Sequence, residues 1–209
     1  MQGSLEFNGS PVIMADPADN AGGGAPSDNT TILRRMLERN VQNATPWAAL
    51  GPIWDPIAVR LCLDAGLGAT LPLRFGGKIG PTSGQPVDAT VTVTGLMRDA
   101  WQSFGPTQVP LGDCAAVKIG GVEVVLIANR TQALGLELFR NVGIEPTERK
   151  LVVVKSTNHF MAAFGPIARK VLYVDSDGPL SRDYRRIAYT KVRRPIWPLD
   201  EATFPGLVA

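Results

Sequence analysis

The sequence predicts an α/β fold, with a mixed sheet, flanking helices and a β-rich middle section. Two strand–helix units begin the chain. In the first, the apolar run 11–14 precedes a long polar loop and an amphipathic segment over 32–39. In the second, the run 47–54 ends at Asp55-Pro56, an N-cap residue followed by proline at the first helical position. Successive strand–helix units favour parallel strands.

The middle of the chain has strand patterns without helices between them. Residues 69–75 and 87–96 are predicted strands. The second alternates Val or Ala with Asp or Thr, so one of its faces is expected to be wet. The runs 115–119 and 122–128 flank Gly120-Gly121, which is the spacing of a tight hairpin. Together these segments form the predicted β-rich section.

The last third returns to alternating elements. Residues 136–142 predict a short helix, and the β-branched run 151–154 predicts a strand buried on both faces. The segment 160–171 is apolar at helical spacing, and 172–174 predicts a further strand. The sequence 155–159 therefore lies at a second crossing from strand to helix.

We divide the chain into a leader (1–10), one domain (11–200) and a tail (201–209). The Arg- and Pro-rich end of the domain has no regular periodicity, and Ile196 and Trp197 are expected to pack onto the body of the domain.

Composition narrows the class of protein. With 209 residues, of which 44% are hydrophobic, the chain can bury a substantial core. The net charge is +2, and the basic last third has no aromatic stacking pattern, so no nucleic-acid partner is expected.

Cys62 and Cys114 are too few for a disulfide framework and are predicted to be free thiols in a reducing compartment. Without a signal segment or a membrane-length apolar run, we expect a cytoplasmic protein with no membrane partner.

The polar loop 15–30 is the first candidate site. Consecutive glycines allow positive φ angles and a close approach to the main chain. Residues 27–30 can each cap the following helix, whose free N–H groups attract anions. Neither a P-loop nor a G-x-G-x-x-G dinucleotide motif is present. The composition alone leaves open a ligand loop or an ordinary Gly-rich turn. The Gly-rich connection 76–84 likewise leaves open a second ligand loop or a mobile surface excursion.

The crossing that begins at Lys155 contains His159, the single histidine of the chain. A lone histidine without a cysteine cluster cannot build a His-rich zinc site. Ser156 could approach it as a nucleophile, but no G-x-S-x-G elbow is present. Two interpretations remain. Lys155 and His159 could line the crevice at the strand ends, or Lys155 could be solvent-exposed while His159 caps its helix.

Several ordered motifs carry a family resemblance. They are Ala15-Asp16-Pro17-Ala18-Asp19-Asn20 with Gly22-Gly23-Gly24, Ile53-Trp54-Asp55-Pro56, Gly76-Gly77-Lys78, Val153-Val154-Lys155-Ser156, His159-Phe160 and Arg194-Pro195-Ile196-Trp197-Pro198-Leu199-Asp200. From about residue 11 to residue 200 the chain resembles the C-terminal domain of the microcystinase C (MlrC) family. That family comprises metallopeptidases that degrade linearised microcystin and related small peptides. Ala21 departs from the family, which often has proline at this position.

The resemblance implies a substrate-side domain. The zinc ligands of the family are expected in an N-terminal half, so this chain would hold no cofactor, no metal ligand and no catalytic residue. The implied partners are that metallopeptidase half, covalent or separate, and a small peptide. The implied substrate-binding residues are Asp16, Asp19, Asn20, Gly22, Gly23, Gly24, Lys155 and His159.

Two other functions stay open at this point. The chain could be a stand-alone module that binds a small anion or peptide, using the capped helix and the glycines. It could also be an inert remnant that self-associates through a former domain face containing Trp47, Trp54 and Trp101. Whether the chain by itself takes part in catalysis is left undecided.

Overall fold

A computed structural model describes residues 7–39, 48–180, 182–197 and 199–200. Eight strands form one sheet. They are β1 Val12–Ala15, β2 Ala48–Trp54, β3 Thr70–Phe75, β4 Val87–Phe104, β5 Thr107–Ile119, β6 Val122–Ile127, β7 Leu151–Val154 and β8 Lys170–Tyr173. The α-helices are α1 Thr31–Glu38, α2 Pro56–Ala65, α3 Glu137–Arg140 and α4 Met161–Phe164.

The sheet is mixed, as predicted. Its strand order is β3-β4-β5-β6-β2-β7-β1-β8. From β6 to β8 each neighbouring pair is parallel, whereas β3, β4, β5 and β6 are antiparallel neighbours. The α/β fold class with a β-rich middle section is therefore confirmed. Because β1, β2, β7 and β8 run in the same direction, the loops that leave their carboxyl ends meet at one edge of the sheet.

The core lies on both faces of this sheet. Alternate residues of β1 belong to two separate clusters of buried side chains, with Val12 in one and Ile13 in the other. The first cluster includes Leu33 of α1 and Val59 of α2. The second includes Phe139 of α3 and other aromatic side chains of the last third. Strand β7 is buried throughout, as its β-branched composition predicts.

The best-predicted helix is α2. Asp55 Oδ1 accepts a hydrogen bond from Ala58 N at 3.0 Å, and Pro56 occupies the first turn. Gly66 ends the helix with a φ of 89°, a conformation that glycine adopts at little cost. The predicted start and end of this helix are both confirmed.

The antiparallel strands are longer than predicted. Strand β4 continues past residue 96 to Phe104, and β5 begins at Thr107 instead of residue 115. Register shifts around Asp99, whose φ is 50°, break the alternation that would have revealed the extension. The two strands thus form a hairpin whose turn, with Gly105 at a φ of 56°, was missed.

The helix predicted over 160–171 is wrong in length. Helix α4 ends at Phe164, and β8 begins at Lys170, two residues before the predicted strand. Pro166 lacks the N–H that a continuing helix needs, which explains the early end. The predicted helix over 136–142 is likewise reduced to the four residues of α3.

The closing segment only partly matches the prediction. Ile196 is half-buried, but Trp197 is 74% exposed, so the prediction that Trp197 packs onto the body is wrong. Trp54 is half-buried and donates its indole N–H to the Ala128 carbonyl at 2.9 Å. Trp101 is 37% exposed. The predicted tail 201–209, residues 1–6 of the predicted leader and Trp47 lie outside the described residues.

Both cysteines are free and buried. Burial raises the pKa of the Cys62 thiol to about 11 and that of the Cys114 thiol to about 12, so neither is a reactive thiolate near neutral pH. No helix in the described part of the chain has the length and apolar character needed to cross a membrane.

Candidate functional site at the carboxyl edge of the sheet

The Asp19 carboxylate organises the loop after β1. The side chain is fully buried, and its Oδ1 accepts a hydrogen bond from Ser27 N at 2.9 Å. Its Oδ2 accepts from Asn29 N at 2.8 Å and from Lys155 Nζ at 2.6 Å. Lys155 also donates to the Asn29 carbonyl at 2.6 Å. One buried ion pair therefore fixes the loop after β1 to the end of β7.

Lys155 lies at the end of β7 with its ammonium group buried. Its side chain is 2% exposed, so the solvent-exposed alternative is wrong. The ammonium group bonds to the first loop, inside the protein. Within the described part of the chain, the role of Lys155 is therefore to hold the conformation of the loop after β1.

Asp16 is buried with half of its hydrogen-bonding capacity unused. Oδ1 accepts hydrogen bonds from Ala18 N at 3.1 Å and Ser176 Oγ at 2.9 Å. Oδ2 is buried and has no hydrogen-bond partner in the described chain. Desolvation raises the pKa of this carboxyl to about 6, although the Lys155 charge and the Ser176 hydrogen bond act in the opposite direction. Asp16 can thus exchange a proton close to neutral pH.

Asn20 connects the loop after β1 to the turn 157–159, which follows β7. Its Oδ1 accepts from Gly22 N at 2.9 Å, and its Nδ2 donates to Thr157 Oγ1 at 2.8 Å. The glycines after it allow neighbours to approach closely. A Cβ on Gly23 would lie 2.5 Å from a methyl carbon of Leu180, and Gly24 has a φ of 101°.

His159 belongs to a chain of side-chain hydrogen bonds. Ser156 Oγ donates to Gln132 Oε1 at 3.2 Å, and Gln132 Nε2 lies 3.0 Å from His159 Nδ1. A Cβ on Gly22 would come within 2.4 Å of the Gln132 amide nitrogen. The His159 ring is exposed and contacts the edge of Phe104, with ring centroids 5.0 Å apart. Phe160, not His159, is the N-cap residue of α4, so the helix-cap interpretation of His159 is wrong.

The Gly-rich connection 76–84 is fastened to the first loop. Asp28 Oδ2 accepts hydrogen bonds from Lys78 N at 2.8 Å and Ile79 N at 2.9 Å. Asp55 Oδ2 accepts from Gly76 N at 3.0 Å and from Lys78 Nζ at 2.7 Å. The structure therefore shows an anchored connection and not a loose surface excursion.

Two cavities are lined in part by residues of the turn 157–159. One, of about 470 Å³, is lined by Pro17, Thr157, Asn158, Tyr173, Leu180, Arg182 and Tyr184. The other, of about 300 Å³, contains His159 and Phe104 in its lining. Both volumes fall in the range of small-ligand pockets. The edge of the sheet where the predicted residues gather is thus concave at this turn.

The donors in the described part of the chain do not form a zinc site. The chain contains one histidine, and its Nδ1 faces the Gln132 amide. Across the described ranges no group of three or more His, Cys, Asp or Glu side chains could hold a metal ion. Zinc in proteins is normally held by three or four such ligands.

The sequence located the two loops but missed the residues that join them. Gln132 and Ser176, which contact His159 and Asp16, come from segments with no motif, whereas Thr157 lies within the predicted crossing 155–159. Asp55 and Asp28, which hold the connection 76–84, each carried a local signal as predicted helix-capping residues.

Comparison with known protein families decides the assignment. The family model described as "MlrC C-terminus" matches residues 14–191. The chain belongs to the MlrC C-terminal family. Microcystinase C from Sphingomonas sp. is 38% identical to this chain over 190 residues, which are 91% of this chain and 36% of that protein. The resemblance inferred from the motifs is therefore confirmed.

A solved structure supports the same fold. A "putative metallopeptidase" from Mesorhizobium sp. BNC1 superimposes with a TM-score of 0.81 at 26% sequence identity. The match covers 97% of this chain and 40% of that structure. The MlrC C-terminal domain described here thus spans between a third and a half of the length of the relatives it matches.

Proposed function

We propose that this MlrC C-terminal domain is the substrate side of a zinc metallopeptidase that cleaves small or linearised peptides, including linearised microcystin. In this proposal an N-terminal half, covalently joined or separate, supplies the zinc and its ligands. The observation that carries the proposal is the gathering of the loop 16–24 and the turn 157–159 at one concave edge, in a domain of a metallopeptidase-like family.

The geometry supports distinct roles for the predicted residues. Asp19 and Lys155 are positioning residues, because their ion pair is buried and fixes both loops. Asn20 ties the turn 157–159 to the first loop through Thr157. The groups that line the cavities, among them Asn158 and His159, are the ones we assign to the peptide.

Asp16 has a separate proposed role. Because Asp16 is 1% exposed, we assign it to the shape of the loop, which it holds by accepting hydrogen bonds from Ala18 N and Ser176 Oγ. Asp16 directly precedes Pro17, which lines the larger cavity. We also propose a cytoplasmic location, which the two free thiols support.

A chimera tests the proposal. The part of Sphingomonas Microcystinase C that this chain matches is replaced by residues 7–200 of this protein, and hydrolysis of a linear peptide is followed in the presence of zinc. We expect hydrolysis, with kcat/KM lowered about fivefold by Asn158→Ala, the equivalent of one lost hydrogen bond. Asn158 is exposed, and its side chain makes no hydrogen bond within the described ranges, so the substitution leaves the fold intact.

Asn8→Ala is the matched control. Asn8 is an exposed asparagine that precedes β1, at the opposite edge of the sheet, and its replacement is expected to leave kcat/KM unchanged. A folded, zinc-loaded chimera that hydrolyses no linear peptide would contradict the proposed function.

A further inference from the structure

We propose that the cavity of about 300 Å³ beside His159 takes an uncharged apolar side chain of the peptide, while His159 Nε2 donates a hydrogen bond to the peptide main chain. This inference rests on the proposed function and adds the class of side chain that the domain selects. We call this cavity the Phe104 pocket. Its apolar walls come from Phe104, Leu134, Leu136, Ala162 and Ala163.

The charged groups Glu137 and Arg140 in the lining already have hydrogen-bond partners. Glu137 accepts hydrogen bonds from Ser103 N at 3.2 Å and Ser103 Oγ at 3.0 Å. Arg140 makes a two-pronged contact with Glu145, with nitrogen–oxygen distances of 2.8 and 3.2 Å. A ligand carboxylate would lose water in this pocket without gaining a free cation, and a ligand ammonium group would have to compete with Ser103 for Glu137, so both are unfavourable. An uncharged apolar side chain incurs no such cost.

The hydrogen bonds around His159 suit a ring that carries its proton on Nε2. Ser156 Oγ donates to Gln132 Oε1, which identifies the oxygen of that amide. The Gln132 group that faces His159 Nδ1 is therefore the NH₂, a donor. We therefore assign Nδ1 as the acceptor and Nε2 as the ring nitrogen that donates. A ring in this tautomer presents a donor for a carbonyl of the peptide backbone.

The position of Phe104 connects the pocket to the rest of the site. Phe104 is 43% exposed and belongs to the hairpin between β4 and β5, whereas His159 belongs to the loop after β7. Their rings meet at an interplanar angle of 61°, an edge-to-face arrangement. His159 also follows Asn158, which lines the larger cavity. A peptide that crosses the turn 157–159 can therefore place one side chain in the Phe104 pocket.

A titration of the full chain with capped amino acids tests the inference. The probes are N-acetyl-phenylalanine amide, N-acetyl-leucine amide, N-acetyl-lysine amide and N-acetyl-glutamate amide, followed through the backbone amide resonances of the protein. We expect the two apolar probes to shift resonances of residues 103–105, 134–137 and 159–163 saturably. They should bind about tenfold more tightly than the charged probes.

Two variants make the test specific. Phe104→Ala removes one wall, and Ala162→Phe, at an exposed position of α4, fills the mouth of the pocket. Each should weaken binding of the phenylalanine probe about tenfold. Tyr189→Ala is the matched control, because Tyr189 is 41% exposed and lines neither cavity. The affinity of the Tyr189→Ala variant for the phenylalanine probe should equal that of the parent chain.

The outcomes separate this inference from the proposed function. Equal affinity for apolar and charged probes, shifts confined to other regions, or no saturable shift up to the solubility limit would overturn the Phe104 pocket. None of these results bears on the chimera, which is judged by hydrolysis. Conversely, an inactive chimera together with selective binding of apolar probes would overturn the proposed function and leave the pocket as a binding site.

Discussion

Replacing Lys155 by methionine is expected to lower the free energy of unfolding by about 3–5 kcal/mol. The substitution leaves the Asp19 carboxylate buried without its counter-charge, although the hydrogen bonds from Ser27 N and Asn29 N remain. It also removes the donor to the Asn29 carbonyl. Urea-induced unfolding of the parent and the variant at neutral pH measures the difference.

The size of this effect depends on burial. Arg60 and Asp64 on α2 also form an ion pair, but their side chains are 74% and 59% exposed. Arg60→Met should therefore change stability very little. If Asp19→Asn is combined with Lys155→Met, the loss of unfolding free energy should be smaller than the sum of the two single losses. Either substitution alone already breaks the ion pair, so the second cannot break it again. A Lys155→Met variant as stable as Arg60→Met would contradict the positioning role.

The stability of the protein is expected to depend on pH through Asp16. In the folded chain the pKa of this carboxyl is about 6, against 3.8 as its ordinary value. The folded state therefore binds this proton more tightly than the unfolded state does. Below the ordinary value both states are protonated and the Asp16 contribution to stability is complete. As the pH rises to about 6 and beyond, this contribution is lost, and the loss reaches about 3 kcal/mol near pH 7.

Asp16→Asn isolates that contribution. The variant has the same shape without a titrating group, so its free energy of unfolding should decline less between about pH 4 and about pH 7 than that of the parent. Unfolding in urea at several pH values gives both curves. Parallel curves for the parent and the variant would show that burial does not raise the affinity of Asp16 for a proton.

Local chemistry explains which parts of the fold the sequence predicted. The Asp55-Pro56 start and Gly66 end of α2, and the buried strand β7, are set by residues adjacent in the chain. The extension of β4 was not predictable in this way, because the shifts near Asp99 interrupt the alternating pattern. The early end of α4 followed from Pro166, a signal that the apolar spacing of the segment concealed.

The sequence predicted the loop 15–30 and the crossing 155–159 as candidate sites, but it did not predict the contacts that join them. Asp19 and Lys155 are 136 residues apart, and their pairing depends on β1 lying beside β7 in the sheet. The spacing of residues along the sequence does not show that β1 and β7 are neighbours in the sheet. The same holds for Gln132, which has no motif and reaches His159 only because a third loop meets the same edge.

The central claim is that this domain supplies the substrate side of a site whose metal lies in another half. The most direct measurement is the zinc content of the purified 209-residue chain, together with its hydrolysis of a linear peptide, alone and after mixing with the part of Microcystinase C that it does not match. We predict no stoichiometric zinc and no hydrolysis by the chain alone, and zinc-dependent hydrolysis by the mixture. Stoichiometric zinc and full hydrolysis by the chain alone would contradict the account.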